Sequence, residues 1–131
     1  MGALNLDPLE KALTSLKEGI EASRKRPADD LARDGVIQRF EYTMDLCWKL
    51  LQRYLKEIAQ MDESVLRTKK DLFREGAKRG LLGKAEDWIA YYEARNETSH
   101  TYNARIAGAV YGKAVAFPAD AERLLSELRK C

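Results

Sequence analysis

The sequence predicts an all-α protein, an antiparallel helical bundle of four to six helices built around one long central helix. Three observations carry this. Apolar residues recur every seven places at Ile37, Met44, Leu51 and Ile58, and again three places later at Phe40, Cys47, Tyr54 and Met61. That is an a/d pattern sustained over about four heptads. No segment alternates apolar with polar residues as a half-buried strand does. Three prolines and eight glycines in 131 residues leave long uninterrupted stretches free to be helical.

A first helix is expected from Leu6-Asp7-Pro8-Leu9-Glu10, with Asp7 as cap, Pro8 at the first helical position and Glu10 completing a capping box. Leu6, Leu9, Leu13, Leu16 and Ile20 give it one apolar stripe down to about Arg24, and Lys25-Arg26-Pro27 ends it. Residues 28–33 read as a polar, partly helical connection. The central helix then runs from roughly Asp34 to Met61, the longest in the chain, with Trp48 and Leu55 widening its stripe as packing on more than one neighbour requires. Glu41 lies at the edge of that face, either on the rim or paired with a cation such as Arg95 or with His100.

Asp62-Glu63-Ser64 reads as a turn. A short helix over Thr68 to Arg79 carries Leu72, Phe73 and Ala77 and is closed by Gly80. Its cations Lys69, Lys70, Arg74, Lys78 and Arg79 form a solvated face unless they line a groove, where they would meet nucleic acid. After the apolar turn Leu81-Leu82-Gly83, a fourth helix is expected from Lys84 through Arg95, with Ala85, Trp88, Ile89 and Tyr92 inward. A fifth starts around Ser99 to Asn103 and carries Ile106, Val110 and Val115. Pro118 should kink it or begin a sixth at Leu124, Leu125 and Leu128.

The whole chain, residues 1–131, reads as a single domain. With 45% hydrophobic and 34% charged residues it is a folded globular chain rather than a disordered one. A net charge of +2 is too small to mark a nucleic-acid binder by itself, although a groove between two copies could be locally basic. Two cysteines make no disulfide scaffold: Cys47 falls on an apolar stripe and Cys131 is terminal. One histidine and two cysteines are too few for a metal site, and no cofactor is expected. No apolar run resembles a signal peptide or a membrane span, so a cytoplasmic protein is expected.

The chemistry concentrates in Arg95-Asn96-Glu97-Thr98-Ser99-His100-Thr101-Tyr102-Asn103, which holds the only histidine of the chain. Histidine exchanges a proton near neutral pH, and arginine offers a planar fork of donors suited to phosphate. On one straight helix, Arg95 and His100 would lie about 140° apart, so their convergence needs a break between them or a second copy of the chain. Thr98 and Ser99 are good caps for a helix that begins at His100, which would set His100 in a first helical turn where anions are favoured. The helix dipole there would favour the neutral imidazole. With these parts His100 could take the proton of a ribose 2′-hydroxyl while Arg95 stabilises the charge growing on the phosphate. A histidine beside a helix start also serves simply as a capping or packing residue, and the residues alone leave both readings open.

The spelling Arg-x4-His-x-Tyr at Arg95, His100 and Tyr102 resembles the signature of the HEPN superfamily. The longer string Arg95 to Asn103, with Val36-Ile37-Gln38-Arg39-Phe40-Glu41, Trp48-Lys49 and Trp88 upstream, is similar to its nucleotidyltransferase substrate-binding branch, which includes the HepT-like toxins of HepT–MntA pairs. This resemblance implies a bundle that forms a homodimer or higher homo-oligomer with two motifs facing one cleft, and a minimal nucleotidyltransferase (MntA-like antitoxin) as partner. It implies metal-independent RNA cleavage by Arg95 and His100, and AMP addition at Tyr102 as the silencing step. Asn96, Ser99, Asn103 and Glu41 are the supporting polar residues. The alternative it leaves is a non-catalytic subunit that binds a nucleotide or other substrate for the transferase.

Overall fold

The computed structural model describes residues 4–131. Among the described residues five α-helices account for the architecture: α1 (Asp7–Arg24), α2 (Asp30–Arg53), α3 (Lys69–Lys78), α4 (Ala85–Asn96) and α5 (Ala104–Arg129). No strand occurs among the described residues. The all-α helical bundle expected from the heptad pattern is the fold observed.

Helices α1, α2 and α5 form a three-helix core. Thr43 of α2 reaches the Ala12 carbonyl, and Arg39 donates to the Ser15 carbonyl at 2.6 Å, so α1 and α2 run antiparallel. Arg129 pairs with Glu10, Lys17 with Glu122, and the Tyr111 hydroxyl meets Ser23, so α5 is antiparallel to α1 as well. The hairpin of α3 and α4 lies against α2 and α5. Gly76 lets α3 come close to α2, since a Cβ there would stand 3.1 Å from both Leu51 and Leu82. Gly80, at φ 77°, turns the chain after α3 in a conformation that only glycine adopts without strain.

Phe117 is the hub of the aromatic core. Its ring meets Phe40 at 5.2 Å, Trp88 at 5.4 Å and Tyr91 at 5.0 Å, all edge-on. Such pairs each add about 0.5–1.5 kcal/mol beyond their buried area. Phe117 joins α2, α4 and α5, and so sets how α4 sits on the core.

Several boundaries differ from expectation, each for a local reason. Leu6, not Asp7, takes the cap position of α1. Asp7 is the first helical residue and its N–H bonds to Asn5, so no capping box forms with Glu10. Helix α2 starts four residues before Asp34 because the Asp29 carboxylate accepts from the N–H groups of Leu31 and Ala32. Its α-helical part spans 24 residues against 26 for α5, so α2 is the longest only when the π-helical turn at Tyr54–Ile58 is counted with it. That wider turn shifts the phase of the stripe. Leu55 is fully buried, whereas Tyr54, Ile58 and Met61 are half-buried.

The fifth helix begins only at Ala104, capped by Asn103 rather than by Thr98 or Ser99. It continues through Pro118 to Arg129 with no sixth helix. Pro118 costs the N–H that would bond the Ala114 carbonyl, but both residues are buried beside Phe117 and packing holds the helix together. Tyr91, not anticipated inside, is buried in place of Tyr92, which is half-buried. Cys47 is buried with its thiol pKa pushed up by desolvation, and Cys131 is exposed. No described helix is long and apolar enough to cross a membrane.

Candidate functional site

The motif stretch is divided between two structures. Arg95 sits in the last turn of α4, while Glu97–His100 forms a 3-10 turn that leads through Thr101 and Tyr102 to the start of α5. The break expected between Arg95 and His100 therefore exists. The expected helix start at His100 does not, because Asn103 supplies the side-chain cap three residues later. Without a helix beginning at His100, the dipole reading that favoured its neutral form loses its basis.

Arg95 is held firmly. Its Nε donates to Asp45 Oδ1 at 2.8 Å and its Nη2 to Asp45 Oδ2 at 2.9 Å, a bidentate pair. Its Nη1 reaches Glu41 Oε2 at 2.9 Å and Thr98 Oγ1 at 3.3 Å. The Thr98 hydroxyl in turn approaches Glu41 at 2.8 Å and the Arg95 carbonyl at 2.8 Å, closing a ring of contacts between α2 and the 3-10 turn. The side chains of Arg95 and Asp45 are 28% and 26% exposed, so these contacts form at the edge of the core where water screens them little. The bonds to Asp45 foremost, then the charges of Asp45 and Glu41, hold the Arg95 pKa above its ordinary value.

Two consequences follow for the chemistry. Glu41 does meet Arg95, and the rim reading gives way to an ion pair across 54 positions of sequence. Among the described residues the guanidinium has one of its five N–H donors left uncommitted. Its charge is also more than matched by two carboxylates. Asp45 was missed from the sequence, although it lies four residues after Glu41 and so on the same helical face. Thr98 was read as a cap and is instead part of this cluster.

His100 and Tyr102 contrast with this. Both are exposed, Tyr102 to 87%, and neither side chain has a hydrogen-bond partner among the described residues. Their rings stand 6.4 Å apart at 71°, an edge-on neighbour pair on the turn. Ser99 is exposed beside them, and Asn96 is exposed at the end of α4. Asn103 is committed to capping α5, accepting from the N–H groups of Arg105 and Ile106. No group of three or more His, Cys, Asp or Glu residues is placed to hold a metal among the described residues.

A second feature adjoins the cluster. The Trp48 indole N–H donates to Asp45 Oδ1 at 3.3 Å, the same oxygen that holds Arg95. The Lys69 ammonium lies 4.1 Å from the Trp48 ring centroid and Lys49 lies 5.6 Å from it.

The fold and the motif define a class. A family described as nucleotidyltransferase substrate binding protein like matches residues 4–130, and the chain belongs to this family of HepT-like HEPN proteins. Among curated proteins it is 34% identical to the Probable ribonuclease HepT of Haemophilus influenzae, across 97% of this chain and 93% of that protein. It also superposes on a solved H. influenzae structure, described as the fold of a substrate binding domain of a nucleotidyltransferase, with TM-score 0.86 and 34% identity. That match covers 95% of this chain and 99% of the other. A crystal structure from Thermus thermophilus matches with TM-score 0.78 and 34% identity, over 92% of this chain and 98% of that one.

Proposed function

We propose that this chain is the RNA-cleaving subunit of a toxin–antitoxin pair with a minimal nucleotidyltransferase, acting as a metal-independent endoribonuclease and silenced by AMP addition at Tyr102. One observation carries the reading: the only histidine and an 87% exposed tyrosine stand two residues apart on a turn that a rigid Arg95 cluster holds in place. A proton carrier needs access to its substrate, and an acceptor tyrosine needs access to a second enzyme. Both are free where they stand.

In this reading His100 removes the proton from a ribose 2′-hydroxyl, and the 2′-oxygen attacks the adjacent phosphorus. The bond from phosphorus to the 5′-oxygen breaks, leaving a 2′,3′-cyclic phosphate. The departing 5′-oxygen takes a proton from the His100 of a second copy in a homodimer. Arg95 positions the turn through Thr98 and offers its remaining N–H to the phosphate. DNA lacks the 2′-hydroxyl and stays intact. In this reading the pair works in the cytoplasm.

Cleavage of a mixed RNA pool in the presence of a chelator tests this, with wild type beside His100→Ala. The expected result is cyclic-phosphate ends from wild type and a loss of about 10²–10⁴-fold in the variant. Equal behaviour of the two, for protein whose intact mass carries no AMP, would overturn the catalytic reading.

A second reading has its own support. With Glu41 and Asp45 neutralising Arg95, the motif is a weak anion clamp, which suits a non-catalytic subunit that binds nucleotide for the transferase. It predicts no cleavage, but nucleotide binding that raises the rate of the transferase.

A further inference from the structure

Four of the five cations of the Lys69–Arg79 segment fall into two kinds. Arg74 pairs with Asp71 and Lys78 with Glu75, one helical turn away on the same exposed face, which is the solvated arrangement. Lys69 and Lys70, the first two residues of α3, have no carboxylate within 4.0 Å among the described residues and line a groove. That groove is a cleft of about 410 Å³ between the start of α3 and the end of α4. Phe73, Ile89 and Tyr92 form its apolar wall, with the Phe73 and Tyr92 rings 6.0 Å apart. Lys69, Lys70 and Asn96 supply polar groups at its edge, with Glu93 the single acid.

We propose that this cleft is a nucleotide subsite, in which an RNA strand seats one base against Tyr92 and its phosphate on Lys69 and Lys70. Four observations converge on that ligand. The volume lies in the range of small-molecule sites, which join an apolar wall to a few placed polar groups. A half-buried aromatic ring beside unpaired lysines is the combination that holds single-stranded nucleic acid, by stacking and by phosphate contact. Asn96, whose amide can pair with a base edge, follows Arg95 directly in sequence. Lys69 is also tied to the Arg95 cluster through the face of Trp48 and the shared Asp45 oxygen, so cleft and cluster form one continuous strip.

The subsite also resolves a charge problem in the motif. The Arg95 cluster carries one cation against two carboxylates and attracts a phosphate poorly by itself. Lys69 and Lys70 supply the uncompensated positive charge, next to that cluster through Trp48. That the ligand is a strand rests on the RNA-cleaving reading; that it is a nucleotide rests on the cleft alone.

Fluorescence anisotropy of a labelled 2′-O-methyl RNA oligomer, which cannot be cleaved through its 2′-oxygen, tests the cleft separately from catalysis. The Lys69→Ala/Lys70→Ala protein is compared with Lys11→Ala/Lys25→Ala, an equal charge change on α1 and at its C-terminal cap. The expected result is weakening of tenfold or more for the first pair only, with the salt slope reduced by about 1.4. Tyr92→Leu keeps the apolar volume but removes the stacking face, and is expected to weaken binding about tenfold at an unchanged salt slope. Thermal melts of each variant check that it is folded. Equal weakening by the two lysine pairs would overturn the proposal, since a diffuse charge effect explains it. Displacement of the oligomer by AMP at a matching nucleotide concentration would overturn the strand and leave a free mononucleotide as occupant. Binding that depends on Lys69 and Lys70, in a protein that cuts no RNA, would sink the ribonuclease reading and leave the subsite standing.

Discussion

The two ends of the Arg95–Tyr102 stretch differ in almost every physical respect. At the α4 end, Arg95 is fixed by Asp45, Glu41 and Thr98, and one turn earlier Tyr91 is buried with its hydroxyl on Asp120 of α5. Five and seven residues after Arg95, His100 and Tyr102 are exposed and make no side-chain hydrogen bonds among the described residues. One end spends its hydrogen-bonding capacity on the fold, and the other leaves it unused among the described residues. The function proposed above, in which the site meets both a substrate and a modifying partner, would be well served by a free turn on a rigid support.

The contrast can be broken at its fixed end first. Asp45→Ala removes the bidentate partner of Arg95 and the acceptor of the Trp48 indole, while Glu41 stays to pair the guanidinium. It is expected to lower stability by about 2 kcal/mol, read as a lower denaturation midpoint in urea at unchanged slope. A loss under about 0.5 kcal/mol would mean that the cluster is a surface ion pair of little weight.

Tyr91→Phe is expected to cost less, about 1 kcal/mol for the lost hydrogen bond to Asp120. Its pH signature is sharper. Burial first, and then the bond and charge of Asp120, raise the Tyr91 pKa above its ordinary value. A raised folded pKa gives stability that is fully present below the unfolded value of about 10 and is lost as pH rises through the folded one. Wild type should therefore lose stability above about pH 10, and Tyr91→Phe should lose less of it. Parallel alkaline curves would show that the Tyr91 hydroxyl does not sense its surroundings.

The smallest expected effect lies at the free end. His100→Ala and Tyr102→Phe should each change stability by less than about 0.5 kcal/mol, as measured by thermal melting. Co-incubation with the nucleotidyltransferase and ATP should add AMP to wild type but not to Tyr102→Phe, read by intact mass. A large drop in melting temperature for either variant would show that the turn is part of the packed structure and that the contrast is false.

Much of the fold could be read locally. The stripe from Ile37 to Leu51, the start of α3 at Thr68, the Gly80 turn and the end of α1 at Arg24 depend on residues within a few positions of each other. The misplacements arose where two caps or two phases competed. Thr98 and Ser99 are as good caps as Asn103 by residue type, and packing of Ala107 and Val110 on the core decided for Asn103. A π turn at Tyr54–Ile58 cannot be seen in a heptad count, and it took the last two repeats out of phase.

By itself the sequence determined that this is a helical bundle, and the resemblance of its Arg95–Asn103 string pointed to the family the chain belongs to and to Arg95, His100 and Tyr102 as the residues on which the proposed function rests. The bundle is a property of composition, period and local order, and the family is a property of one matched string of residues. Only the tertiary structure decided what each motif residue has beside it. It committed Arg95 to Glu41 and Asp45, joined Trp48 to that cluster, and separated Lys69 and Lys70 from the other cations by setting them over a cleft. The physical reason is distance along the chain. Fifty residues separate Asp45 from Arg95, and no local preference of either side chain selects the other. Packing of the core around Phe117 sets where α4 lies, and thereby which carboxylates its arginine can reach.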